Sequence, residues 1–195
     1  MHPYATNSEE RTNIPFYVAG IAIGIARLVA SFADKTRLPF WVEVPGTATL
    51  YGLLLGLFRS RFWKLQVLHK THVVKVPNLE GEWAGYVTSS FDNLAAKLPV
   101  TIHIRQNWTH MSIVLRTGKS ESHSVLSSVF VGDETLVSYQ YENEPRVGAK
   151  DTMHAHRGMA NLNLSEDGLA LTGDYYSGRD RANYGTLVVT KLTRA

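Results

Sequence analysis

The densest chemistry in this sequence lies near its C-terminus, in Asp174-Tyr175-Tyr176-Ser177-Gly178-Arg179-Asp180-Arg181-Ala182-Asn183-Tyr184-Gly185. Arg179 and Arg181 stand two residues apart with tyrosines on both flanks. Guanidinium groups fork onto phosphate oxygens and aromatic faces stack on flat bases, so a ligand carrying phosphates and bases would suit Arg179, Arg181, Tyr175 and Tyr176. The competing explanation is a hairpin turn whose arginines pair with Asp174 and Asp180. Thr117 and Ser120-x-Ser122-x-Ser124 add hydroxyls on one strand face, useful to a polar ligand only if that face points inward. Tyr139-x-Tyr141 shares a face in the same way, where core packing competes with base stacking. His154-x-His156 could seed a metal site, but no ligand cluster, cysteine or HExxH motif accompanies it. His156 is therefore read as a hydrogen-bonded or ligand-contacting residue, and no metal is expected. No nucleophile elbow or phosphate-binding glycine loop is present, so no catalytic residue, cofactor or enzymatic activity is expected.

These residues fall on short alternating segments separated by turns. Strands are expected at 80–89, 99–108, 109–117, 121–131, 134–142, 154–164, 169–177 and 184–193. Period-two alternation is plain at Val100, Ile102 and Ile104 and again at Ala160, Leu162 and Leu164. Thr117-Gly118-Lys119, Gly132-Asp133 and Glu166-Asp167-Gly168 supply turns. Eight strands joined mostly by short hairpins predict an up-and-down, lipocalin-like β-barrel, whose closure removes exposed sheet edges. The strands lack the lipid-facing band of a membrane pore.

The stretch ahead of the barrel is one that water would reject. Residues 14–32 and 38–58 are two apolar runs separated by the polar break at 33–37, each close to the ~20 residues a helix needs to cross a bilayer. A helical transmembrane hairpin is expected, with a tail at 1–13, a basic linker at 59–77 and the barrel at 78–195. Arg27 and Glu43 interrupt the two runs. Their numbers average to the middle of the break, so an antiparallel hairpin would put them at similar depth, open to mutual pairing, snorkelling or an inter-subunit contact. Gly20-xxx-Gly24 and Gly52-xxx-Gly56 are candidate packing faces. Phe62 and Trp63 suit the headgroup region. Arg59, Arg61, Lys64, Lys70 and Lys75 put the flank after the second run, and with it the barrel and N-terminus, in the cytoplasm by the positive-inside rule. A cleaved signal peptide is the rival for the first run, but its start is not basic and Arg27 breaks it.

Composition narrows the classes further. The chain has 195 residues, no cysteine and a net charge of +3, so disulfides and thiolate metal sites are excluded. The mild basic excess is not that of a DNA- or RNA-binding protein.

The motifs GEWAGYV, VTIHIRQNWTHMSIVLRT, SxSxS, LVSYQYENEP, HAHRGMANLNL and GDYYSGRDRANYGTL, in that order after a helical hairpin, resemble the membrane-anchored β-barrel effectors of CBASS antiphage defence. These accompany a CD-NTase cyclase. The resemblance runs from Leu79 to Leu192. It implies a cytoplasmic barrel that captures a cyclic dinucleotide made by the CD-NTase. Capture would promote self-association, and the clustered helices would disrupt the inner-membrane bilayer and kill the infected cell. Within that picture, chemistry assigns Arg179 and Arg181 to phosphate, Tyr175, Tyr176 and Tyr141 to bases, and Thr117, Ser120, Ser122 and His156 to polar contacts. The alternative is a membrane-tethered, lipocalin-like carrier or sensor of an apolar ligand, which would need an apolar lumen.

Overall fold

The computed structural model describes residues 1–32, 40–146, 154–179 and 181–192, with backbone alone for Phe32 and residues 40–45. The chain forms two compact units, Ser8–Lys75 and a second that joins Met1–Asn7 to the chain from Val76 onward.

The second unit is a closed barrel. Its strands are β1 (His2–Thr6), β2 (Gly81–Val87), β3 (Leu98–Gln106), β4 (His110–Arg116), β5 (Ser120–Phe130), β6 (Thr135–Pro145), β7 (His156–Leu164), β8 (Ala170–Ser177) and β9 (Tyr184–Lys191). Around the barrel they run β1-β4-β3-β2-β9-β8-β7-β6-β5. All eight segments expected from alternation are strands, but the barrel has nine, so the eight-strand count and the expected tail at 1–13 are corrected. The reason lies between β4 and β5. These pair only near their hairpin, from Arg116↔Glu121 to Val114↔His123. A bulge between Ser124 and Leu126 then turns β5 away. β1 fills the fork, antiparallel to β4 and parallel to β5, through Tyr4↔Ser127, Ala5↔Ser128 and Thr6↔Val129. Ser124 Oγ accepts from the Ile113 amide (2.9 Å) and bonds His2 Nε2 (2.8 Å), satisfying groups that the fork would orphan. Both amide atoms of Asn7 grip the backbone of Val131, which fixes the far end of β1.

Inward positions divide the lumen into two halves. At the end where β1 finishes and β2 begins, Trp83, Ile104, Met111, Val137, Leu162, Leu171 and Val189 are all buried. Val76 and Leu79 plug that end. The Trp83 indole donates to the Leu79 carbonyl (3.0 Å), Gln106 Oε1 accepts from the Leu79 amide (2.7 Å), and the Tyr4 hydroxyl donates to the Trp108 carbonyl (2.9 Å). This half is filled by its own side chains, which removes the apolar space that a lipid carrier requires. Gln106 apart, the polar inward residues named below lie in the other half.

The first unit contains α1 (Glu10–Phe32), α2 (Phe40–Ser60), a 3-10 turn (Phe62–Lys64) and α3 (Gln66–Lys70). α1 is long and apolar enough to cross a membrane by length and composition. It exposes Phe16, Tyr17, Ile21, Leu28 and Val29, an outward-facing apolar surface that water would not support. α1 begins at Glu10, ahead of the expected 14, with Glu10 in the first turn where its charge suits the helix N-terminus. Arg27 is exposed on α1, while the Glu43 side chain and the break at 33–37 lie outside the described residues. Trp63 is fully buried rather than placed as a headgroup anchor, and Phe62 beside it is exposed. A Cβ added at Gly20, Gly24, Gly52 or Gly56 would meet open space, so these glycines are not where α1 and α2 touch.

Candidate functional site

Strand register builds the polar half of the lumen in rows. Nearest the rim, Ser122 pairs with Asn143, and Asn143 with His156. One row deeper, Ser124 pairs with Tyr141, Tyr141 with Gly158, and Gly158 with Ser177. Below that, Tyr139 pairs with Ala160, Ala160 with Tyr175, and Tyr175 with Gly185. Small residues face large ones across each row. A Cβ at Gly158 would collide with the Tyr141 hydroxyl, so this glycine creates the space in which that ring lies; one at Gly185 would strike first the Thr88 carbonyl and then the Tyr175 ring. The Tyr175 hydroxyl donates to the Thr88 carbonyl (3.0 Å), and Tyr141 packs edge-on to His156 at 6.4 Å between ring centres.

Hydrogen bonds and charge give this end its character. The Ser122 hydroxyl donates to Asn143 Oδ1 (2.8 Å), both groups being buried. Thr117 and Ser120 share a hydroxyl contact at 3.1 Å. Burial pushes the Tyr141 phenol up, as does the neighbouring Tyr175, while the Arg181 guanidinium pulls it back. Burial likewise raises the Tyr139 phenol. Both tyrosines therefore present neutral hydroxyls. Arg181 is held by Asn183: with the amide turned to satisfy both its atoms, Asn183 accepts from Arg181 Nε (3.0 Å) and donates to the Arg181 carbonyl (3.2 Å). A guanidinium whose charge reaches Tyr141, together with a row of hydroxyl and amide groups, is suited to an anion that carries flat rings.

A competing recess of about 690 Å³ lies at the opposite end of the barrel, between the β5–β6 and β7–β8 loops. Asp133, Glu134, Glu166 and Asp167 line it. Their carboxylates would repel a phosphate, so this recess does not suit an anion.

Residues 74–191 match the family described as Cap15, cyclic dinucleotide receptor domain. The match spans β2 to β9 and, with them, the side chains of the candidate site. The chain belongs to the Cap15 family. It is also 32% identical over 153 residues to CD-NTase-associated protein 15 of Yersinia aleksiciae, covering 74% of this chain and 70% of that protein. The resemblance to the barrel effectors of CBASS defence thus holds, and no enzymatic domain is indicated.

Within the Cap15 barrel, the structure brings together Tyr141, Tyr175, Arg181, Ser120, Ser122 and His156 at one end of the lumen. Tyr176 is a correction: it follows Tyr175 on a strand, so it takes the opposite face, half-exposed, with its hydroxyl on Met159 Sδ (3.1 Å). Arg179 lies exposed in the β8–β9 turn and is not gathered with the others. The suggested pairing of the arginines with Asp180 falls outside the described residues. Thr117 is at the rim, but its hydroxyl accepts from the amides of Lys119 and Ser120 and so serves the β4–β5 turn. Sequence reasoning passed over Asn143, Ser177 and Asn183. The alternation Tyr139-x-Tyr141-x-Asn143 could have found the first of these; the other two depend on the turn geometry.

Proposed function

We propose that the barrel binds a cyclic dinucleotide from a CD-NTase at the polar end of its lumen. Binding drives self-association, and the α1–α2 hairpins then disrupt the inner membrane and end the infected cell's growth. The observation that carries the ligand reading is Arg181, fixed by Asn183 and bearing on buried Tyr141 beside Tyr175. Arg181 takes a phosphate, Tyr141 and Tyr175 take the bases, and Ser120, Ser122, Asn143 and His156 provide polar contacts at the rim. Arg179, free of the tyrosine group, contributes a second charge from the turn.

The membrane reading is supported by connectivity. Residues 2–6 and the chain from Val76 belong to one barrel, so the segment between them leaves and returns to the same side of any bilayer it enters. That requires an even number of crossings, and α1 with α2 supplies two. The basic residues of 59–75 support a cytoplasmic position for the shared side. The open glycine faces at Gly20, Gly24, Gly52 and Gly56 are consistent with helices that pack against other copies, where Arg27 and Glu43 would meet new partners.

Titration of the protein with a panel of cyclic dinucleotides at rising salt tests the ligand reading. At least one should bind, more weakly as salt rises. Arg181→Ala should lower that affinity about 10- to 150-fold, the range expected of a charged hydrogen bond worth about 1.5–3 kcal/mol. Binding indifferent to salt and to Arg181→Ala would overturn the site.

A further inference from the structure

The foot of the helical unit contains a groove of about 330 Å³ that the messenger site does not use. It is walled by Ile14, Tyr17, Val18 and Ile21 of α1, by Phe58 at the end of α2, and by Phe62, Leu65, Leu68 and Val73 of the segment that follows. Apart from the Tyr17 hydroxyl, this lining is hydrocarbon or aromatic ring. Two of its walls are the helices that carry an outward-facing apolar surface. The third is a segment that leaves Phe62, Leu65, Val67 and Val73 exposed. Such a surface facing water would be costly; facing the headgroup boundary of a bilayer it would not.

Charge identifies the occupant. Arg59, Arg61, Lys64, Lys70 and Lys75 fall within 17 residues, and no carboxylate occurs between Glu43 and Glu80. Arg61, Lys64 and Lys70 are interspersed along the chain with the lining residues Phe62, Leu65 and Leu68. A negatively charged headgroup would answer this run of cations, and its acyl chain would answer the apolar lining.

The geometry points to a bound anionic phospholipid, its acyl chain in the groove of α1, α2 and α3 and its headgroup among Arg61, Lys64 and Lys70. This assignment rests on the membrane reading above but is independent of messenger recognition. Occupancy would tie the basic segment to the bilayer surface, at the point where the helical unit hands the chain back to the barrel.

Full-length protein extracted in a neutral detergent, offered equal phosphatidylglycerol and phosphatidylcholine and observed by native mass spectrometry, tests it. One retained phospholipid per chain is expected, with phosphatidylglycerol favoured by at least about five-fold, the effect of a single well-placed cation. Arg61→Gln, Lys64→Gln and Lys70→Gln together should bring the two lipids close to parity. Leu68→Trp, which fills the groove, should reduce retention of both, whereas Leu68→Ala, which leaves it open, should preserve retention. Retention of no lipid, an unchanged ratio in the triple variant, or dimers in place of lipid adducts would overturn the assignment. A chain that stays dispersed without detergent would sink the membrane reading as well; one that needs detergent but retains no lipid sinks the groove alone.

Discussion

The placement of β1 inside the barrel has a measurable consequence at Tyr4. This side chain is 3% exposed within the lumen core, and its hydroxyl donates to the Trp108 carbonyl. Tyr4→Ala removes a buried ring, a change that costs about 3–5 kcal/mol where aromatic cores are truncated. Against a total stability of about 5–15 kcal/mol, that brings the barrel close to unfolding. Tyr4→Phe keeps the ring and loses a buried hydrogen bond, for about 0.5–1.5 kcal/mol. Urea unfolding followed by the fluorescence of buried Trp83 and Trp108 reads the two variants. With a slope of about 1–3 kcal/mol per molar urea, Tyr4→Ala should lower the midpoint by at least about 1 M and Tyr4→Phe by less. The order wild type, Tyr4→Phe, Tyr4→Ala is the signature of a buried ring with a bonded hydroxyl. Two variants that unfold with the wild type would mean that residues 2–6 are not part of the barrel.

Gly158→Ala should cost about 1–3 kcal/mol by overpacking, because the new methyl group enters the space of the Tyr141 ring. It should also weaken messenger binding, whereas Gly118→Ala, in open space, should do neither; thermal melts and titration compare them. The raised phenols of Tyr139 and Tyr141 make a pH prediction. A group whose folded pKa lies above its unfolded one contributes fully below the unfolded value, so their contribution is intact below the ordinary 10.0 and is lost as pH rises beyond it. Alkaline unfolding should therefore coincide with a late ultraviolet tyrosinate step, and Tyr139→Phe should shrink that step; a tyrosinate signal complete well before unfolding would refute the burial.

Eight of the nine strands were legible because half-buried strands must alternate, as Val100-x-Ile102-x-Ile104 does. β1 was not. It has five residues, one of them buried, and its partners lie more than a hundred positions away, so no local period could announce it. The same limit explains the split between Tyr175 and Tyr176. Adjacent strand residues must face opposite ways, so the sequence permitted only one of them in the lumen. Which one depends on the register of β8 against β9, where Tyr175 meets Gly185. Phe62 and Trp63 divide similarly: both suit a headgroup boundary by type, but in the short 3-10 turn only Trp63 is turned inward. Residue type marked the candidate site, and long-range pairing chose its members.

The position of β1 also constrains how the protein is made. The fork between β4 and β5 can be filled only by a strand synthesised before the two helices, while its partners emerge after them. Closing a loop of that length is entropically tolerable, since each doubling costs only about 0.6 kcal/mol. Topology is less forgiving. If α2 failed to return the chain, β1 and β2–β9 would be on opposite sides of the bilayer, and the barrel would keep an open slot with unpaired backbone on β4 and β5. Such an edge invites pairing with other strands and aggregation. On the membrane reading proposed above, barrel closure depends on completed insertion of the hairpin. A variant that blocks re-entry of α2, such as a pair of arginines in place of Leu53 and Leu54, should yield a chain whose Trp83 and Trp108 never reach their buried fluorescence. Native-like burial of both tryptophans in that variant would show that the barrel closes without β1, and the argument for an even number of crossings would lose its footing.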